Sequence, residues 1–379
     1  MGPPCCKPFA KLGLGVYKRV RLPGREYRGR EGHAVWLERS SVTALVTALR
    51  GLADGHVLSG AELQAATSAL LDGQTSPALQ AAWLTAWRFR GENADLVTAT
   101  RAALLHHAEP WPGPKTDVLD TCGTGGDGLE TFNVSTAAAL VVAAVGIPVV
   151  KHGNRGVSGP TGSADLLEAL GVPIALTPQA AARCLAETGF TFCFAPAWHP
   201  ALRTLASLRR ELGFRTVFNL VGPLANPARP RWQVVGVGRA EWLDVVAESL
   251  RRAERLERAV VVHGVDGSDE ISLASETQVR WVVKGQIEAQ TWTASDFGLR
   301  PVAWDECRAA SPAESRQQVE KAWSDADHPA ARVVRANAAA ALFVRGRAES
   351  LAHGAELAGD AIASGRVNEL VQRLRSFGV

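Results

Sequence analysis

The densest group of glycine and polar residues in the chain is Gly123-Thr124-Gly125-Gly126-Asp127-Gly128, followed at once by Thr131-Phe132-Asn133-Val134-Ser135-Thr136. Glycines let backbone N–H groups close on a phosphate, and a helix start adds unpaired donors and a favourable dipole. Between a strand and a helix this stretch would make an anion cradle. The same residues also fit a plain strand-to-helix turn in which Ser135 and Thr136 only cap. No Gly-Lys-Ser/Thr follows, so it is not a P-loop.

A second set follows in Lys151-His152-Gly153-Asn154-Arg155, then Ser158, Gly159 and Gly162-Ser163-Ala164-Asp165. Two cations, an amide, a ring and hydroxyls on adjacent strand-end loops favour a phosphate-rich ligand over a neutral one. Taken singly, Lys151 fits a solvated lysine, His152 a packed structural histidine and Ser163 a helix cap. A third set, Asp269-Glu270, comes after the apolar run 259–263 through a Gly-containing turn. Paired carboxylates at a strand end could supply hard oxygen ligands to a divalent cation, but by themselves they fit a solvated turn better, since Asp and Gly are ordinary turn residues.

Positioning these groups requires strands and helices in alternation. The pattern after Pro110-Trp111-Pro112-Gly113-Pro114 reads as strand 117–121, helix 135–145, strand 147–151, helix 164–170, strand 172–176, helix 178–188 and strand 190–195. Such alternation predicts a mostly parallel sheet covered by helices, with ligands at the carboxyl ends of its strands. A late antiparallel hairpin is expected at Lys284-Gly285, and Ala-rich helix fills the last fifty residues or so. Before the proline-rich stretch, apolar residues recur at helical spacing at Leu45, Leu49 and Leu52, at Leu63, Leu70 and Leu71, and at Leu79, Trp83 and Trp87. Pro77 after Ser76 suits a capped first turn. The fold class is therefore α/β, with a small N-terminal all-helical domain (42–112) and a larger α/β domain (113–379). Residues 1–41 are basic and aperiodic, which predicts a disordered extension; Met1 is the only methionine, so a shorter product would need a non-ATG start, for example at Val35 or Val42.

Composition excludes several classes. A net charge of +3 with interspersed signs argues against a nucleic-acid-coating protein. The longest apolar run, 137–145, falls short of the roughly 18 residues that span a bilayer. Cys5, Cys6, Cys122, Cys184, Cys193 and Cys307 form no CxxC pair and read as reduced thiols, so the cytoplasm is the expected compartment.

G-T-G-G-D-G-x-x-T-F-N-x-S-T together with K-H-G-N-R resembles the anthranilate phosphoribosyltransferase family, kin of the pyrimidine nucleoside phosphorylases. The likeness continues through His199-Pro200, Leu208-Arg209-Arg210-Glu211-Leu212-Gly213, Phe218-Asn219-Leu220-Val221-Gly222-Pro223-Leu224-Ala225-Asn226-Pro227 and Val262-His263-Gly264 to Asp269-Glu270. It covers the chain from about Val42 onward. The resemblance implies that Gly123, Gly126, Asp127, Thr131, Asn133, Ser135, Thr136, Lys151 and Ser163 surround phosphoribosyl pyrophosphate. By the same resemblance Gly123, Asn154 and Arg209 meet anthranilate, and Ser135, Asp269 and Glu270 hold two magnesium ions. It further implies a homodimer formed through the helical domain. No residue is assigned as general acid or base, His152 included. Thr161 stands where serine is common, a change that keeps the hydroxyl. A nucleoside phosphorylase and a nucleic-acid-binding relative of the same fold are the alternatives; K-H-G-N-R and Arg209 argue against the first, and Asn154, Arg209 and Asp269-Glu270 against the second.

Overall fold

The computed structural model describes residues 32–113, 117–156, 159–283 and 285–378. The first part is helical: α1 (Gly32–Ala53), α2 (Gly60–Leu71), α3 (Pro77–Arg90) and α4 (Ala94–His106). Each of the last three starts at a side-chain cap, where the oxygen of Ser59, Ser76 or Asn93 accepts the N–H of Glu62, Leu79 or Leu96. These caps satisfy donors that the first helical turn leaves free. Residues 1–31 of the expected extension lie outside the described residues, and α1 already begins at Gly32, within that stretch.

The α/β part runs β1 (Leu119–Gly123), α5 (Val134–Ala144), β2 (Val149–Gly153), α6 (Ser163–Ala169), α7 (Pro178–Thr188), β3 (Phe190–Phe194), α8 (Ala195–Trp198), α9 (Ala206–Leu212), α10 (Val217–Val221), β4 (Trp232–Gly236), α11 (Trp242–Arg251), β5 (Arg258–Gly264), β6 (Thr277–Val283), β7 (Gln286–Trp292), α12 (Pro312–Ser324), α13 (Pro329–Arg345), α14 (Leu351–Ala363) and α15 (Arg366–Arg375). One sheet has the order β3-β2-β1-β4-β5-β6-β7. Its first five strands are parallel, and β6 and β7 add the antiparallel hairpin expected at Lys284-Gly285, of which Lys284 lies outside the described residues. Because β1 lies between β2 and β4, the winding direction reverses there, and a crevice opens at the carboxyl ends of β1 and β4.

α5 is apolar all round because it is covered all round: its residues Val134 and Thr136 to Ala143 are buried in the main core, together with most of the Ala-rich α13. A second apolar cluster joins both parts of the molecule. Leu45, Leu63, Trp83 and Trp87 of the helical part pack in it with Leu205, Phe218, Trp242 and Val246 of the α/β part. The site described below therefore rests on a shared core.

Two expected elements differ. Residues 172–176 form no strand. Val172 and Ile174 are buried in alternation, which is the signal that suggests one, but Pro173 has no N–H for a ladder and β3 already pairs with β2. Leu202, Leu205, Leu208 and Leu212 recur at three- and four-residue intervals, which predicts one helix from about Pro200 to Leu212, but the stretch is broken into a 3₁₀ segment, Pro200–Leu205, and α9. Leu202 N–H bonds the His199 carbonyl at 3.0 Å, the tighter i to i+3 pattern.

Candidate active site

Gly123 ends β1 and Gly236 ends β4, and the two are paired across the ladder. A Cβ on either would collide with Asp269, with its side chain at Gly123 and its backbone carbonyl at Gly236. Glycine at both strand ends thus lets the loop after β5 lie against the sheet at the switch point. There Asp269 Oδ2 accepts the Gly125 N–H at 2.6 Å, and Glu270 Oε1 accepts the Ser135 N–H at the start of α5 at 3.1 Å. Asn337 of α13 holds the next residue: its Oδ1 accepts Ile271 N–H at 3.1 Å and its Nδ2 donates to Ile271 O at 3.3 Å. Gly123, Ser135, Glu270 and Asn337 line one small cavity with Thr121, Cys122 and Gly236.

The electrostatics of the acidic pair is unfavourable as it stands. Both side chains keep partial solvent contact, yet protein surrounds them on most sides. Burial, with repulsion from Asp127, pushes the Asp269 carboxyl up to about 7. Burial and the adjacent Asp269 push Glu270 up as well. Lys151 offsets part of this. It is buried, its Nζ donates to the Thr121 carbonyl, and it lies 3.4 Å from Ser135 Oγ.

The two loops are tied together. Asn133 Oδ1 accepts from the Thr161 hydroxyl at 3.0 Å and from Ser315 at 2.8 Å, and its Nδ2 donates to Thr161 O at 3.4 Å. Thr161 therefore uses the hydroxyl that it shares with serine. Thr131 bridges to Arg308 and anchors the far end of the first loop. In the second loop Ser163 does not cap α6; its hydroxyl donates to Asn154 O at 3.2 Å, and Asp165 takes the Gly156 and Gly162 N–H groups. Asn154 is exposed at the rim, and Ser158 lies outside the described residues. Thr136 stands apart from this group, fully buried in α5 with no partner for its hydroxyl among the described residues.

Arg209 and Arg210 divide as adjacent helical residues must. Arg210 is exposed, whereas Arg209 is half-buried, lies over the Phe218 ring at 5.5 Å and donates to Asn219 Oδ1 at 3.3 Å. His152 and His199 meet edge to face with ring centroids 5.1 Å apart. His152 Nδ1 faces Gly222 O at 3.0 Å and His199 Nε2 faces Ala225 O at 2.9 Å, while His152 Nε2 is buried without a partner among the described residues. Burial pulls His152 down to about 3 and His199 down to about 4, so both rings are neutral at pH 7.

The chain matches the family described as glycosyl transferase, a/b domain, over residues 115–368, and the corresponding helical bundle domain over residues 46–108. An anthranilate phosphoribosyltransferase of Thermomicrobium roseum is 47% identical over 86% of this chain and 95% of its own length. The chain belongs to the anthranilate phosphoribosyltransferase family. Another member, from Symbiobacterium thermophilum, is 40% identical over 87% of this chain and 96% of its own length. The crystal structure of anthranilate phosphoribosyltransferase from Thermus thermophilus superposes with a TM-score of 0.81 at 39% identity, covering 87% of this chain and 98% of that one. The Saccharomyces cerevisiae anthranilate phosphoribosyltransferase in complex with PRPP and Mg shares the fold, with a TM-score of 0.81 at 24% identity over 88% of this chain and 97% of its own.

Within this family framework, three residues of the site escape sequence reasoning. Asn337 lies in an Ala-rich helix, where a lone amide carries no local signal. His199 stands out only as part of a dipeptide. Arg215, whose Nη1 donates to the Gly125 carbonyl at 3.3 Å, follows the helix-ending Gly213 and has no motif of its own.

Proposed function

We propose that this chain transfers the phosphoribosyl group of phosphoribosyl pyrophosphate to the amine of anthranilate, yielding N-(5-phosphoribosyl)anthranilate and pyrophosphate in tryptophan biosynthesis. The observation that carries this reading is the convergence of the glycine loop, Lys151 and the Asp269-Glu270 pair on the crevice between β1 and β4. Gly123, Gly126, Asp127, Thr131, Asn133, Ser135, Lys151 and Ser163 surround the sugar phosphates in this reading, with Thr136 supporting from beneath. Gly123, Asn154 and Arg209 receive anthranilate.

Magnesium fits the donor set. Among the described residues no three His, Cys, Asp or Glu side chains enclose an ion by themselves. Magnesium is held in many enzymes by one or two carboxylates completed by water and substrate phosphates. Asp269, Glu270 and the Ser135 hydroxyl are hard oxygen donors, and the raised carboxyl pKa values mark a place short of positive charge. Two ions at this site would neutralise charge on the departing pyrophosphate.

The chain's own residues do the rest. The loop N–H groups and Lys151 hold the phosphates, and the guanidinium of Arg209 pairs with the anthranilate carboxylate and turns the amine toward the anomeric carbon. The amine attacks neutral, with inversion through an oxocarbenium-like transition state, so leaving-group stabilisation matters more than a base. His152 and His199, neutral and with depressed pKa values, are poor bases and have no assigned proton transfer. The reading includes a cytoplasmic homodimer paired through the helical part, supported by the 88% exposure of Phe89 at the end of α3.

Anthranilate fluorescence tests the assignment. It should decay only when phosphoribosyl pyrophosphate and magnesium are both present. No loss of fluorescence, with phosphorolysis of a nucleoside by inorganic phosphate in its place, would overturn it.

A further inference from the structure

Gly125, Gly126 and Gly128 all have positive φ, at +65°, +73° and +77°. A run of such glycines is costly to hold in one conformation, because glycine loses the most backbone freedom on ordering. Something must hold this loop. Asp269 takes the Gly125 N–H at 2.6 Å, and the Gly125 carbonyl is taken from the other side by Arg215 Nη1 at 3.3 Å.

Arg215 is half-buried and its guanidinium lies directly across Gly126, in the space that a Cβ on that glycine would need. The next residue continues the connection. Thr216 N–H donates to Asn219 Oδ1 at 3.0 Å, and the same oxygen accepts from Arg209 Nη2 at 3.3 Å. One short segment between α9 and α10 therefore grips the glycine loop with one arginine and shares an acceptor with the other.

We propose that Arg215 is a positioning residue that fixes the glycine loop in the conformation that receives phosphoribosyl pyrophosphate, and that it couples this loop to the segment carrying Arg209. The role in substrate binding rests on the function proposed above. The tie itself does not. A loop that samples several conformations binds its ligand in proportion to the competent fraction, so losing the tie weakens affinity without touching the reacting atoms. Arg215 acts through Gly125, and a direct contact to phosphate is the competing role.

Amide hydrogen exchange separates the two roles, because it reads the loop in the free protein. In Arg215→Met, a peptide covering residues 123–130 should exchange faster by about tenfold, the effect expected for losing one hydrogen bond to a charged group. Arg215→Gln should do the same, which shows that lost packing is not the cause. The Michaelis constants for both substrates should rise together in these variants while kcat changes little. Arg209→Ala should leave loop exchange as in the wild type and raise only that for anthranilate. Unchanged exchange over 123–130 in both Arg215 variants overturns the proposal, even if phosphoribosyl pyrophosphate affinity falls, since Arg215 would then act on the ligand directly. Should the wild-type protein consume no anthranilate, the proposed function fails, and the exchange result still decides what Arg215 does to the loop.

Discussion

Asp120 and Asp269 lie on neighbouring segments at the same sheet, and their surroundings could hardly differ more. Asp120, on β1, is fully buried and satisfied by protein: Asn226 Nδ2 donates to it at 2.9 Å, the His152 N–H at 3.3 Å, and Lys151 is its nearby counter-charge. Asn226 is itself fully used, donating to Val150 O at 2.7 Å and accepting from Ala228 N–H at 2.9 Å. Burial still pushes Asp120 up to about 6. Asp269 takes the Gly125 N–H, and the neighbouring Asp127 and Glu270 are acidic. One carboxylate organises the floor under the loops; the other belongs to a cluster whose charge is left for a ligand to balance. A half-buried acidic cluster whose charge exceeds what its two backbone hydrogen bonds can balance is where function is expected.

That contrast breaks first at the acidic pair. Asp269→Asn and Glu270→Gln should each lower kcat/KM by a factor on the order of a hundred or more, as removal of an electrostatic stabiliser does. The melting temperature in magnesium-free buffer should stay level or rise, because like-charge repulsion is relieved. Scanning calorimetry beside steady-state kinetics checks both, and a large drop in melting temperature would make the pair structural.

Asn226→Ala attacks the other side of the comparison. It leaves Asp120 and the Val150 carbonyl short of donors in a dry interior, at about 2 kcal/mol. Urea denaturation should show this loss, while the magnesium concentration for half-maximal activity stays unchanged.

Arg209→Ala should raise the Michaelis constant for anthranilate about tenfold, or roughly 1.4 kcal/mol, and leave that for phosphoribosyl pyrophosphate much less affected. Arg210→Ala, at an exposed position, should do neither. Equal small effects would remove Arg209 from the site.

The smallest effect concerns pH. The raised carboxyls of the pair are protonated in the folded protein at pH values where the unfolded chain has ionised, so from about pH 4 up toward pH 7 the metal-free protein loses stability as pH rises. A cation must displace those protons. Magnesium should therefore stabilise more at pH 8 than at pH 6, and its half-saturating concentration should rise several-fold over that drop. A pH-independent magnesium requirement would show that the pair is ionised throughout.

Much of this was legible from residue types and spacing. The β–α alternation was readable where glycine or proline punctuates it, at Gly123 after β1, at Pro148 and Gly153 around β2 and at Gly189 before β3, and the caps at Ser76 and Pro77 follow from local chemistry. The strand at 172–176 misled because alternating burial looks the same with or without a partner strand. Within the site, Gly123 and Lys151 stood out as members of dense glycine-rich and polar sets, whereas the Asp269-Glu270 pair gained its weight from the family resemblance, since Asp is an ordinary turn residue. Asn337 and Arg215 did not, since each acts on backbone atoms far away in sequence, Ile271 and Gly125. The split between Arg209 and Arg210 followed from helix geometry, although part of the expected helix is 3₁₀.

If the crevice between β1 and β4 receives phosphoribosyl pyrophosphate together with magnesium through Asp269 and Glu270, the two ligands must bind as one unit. Isothermal titration of the wild-type protein and of the Asp269→Asn, Glu270→Gln double variant, with and without magnesium, tests this most directly. Strong binding of phosphoribosyl pyrophosphate should require magnesium in the wild type, and that requirement and the added affinity should disappear in the double variant. Equal affinity with and without magnesium in the wild type, or an unchanged magnesium dependence in the double variant, would contradict it.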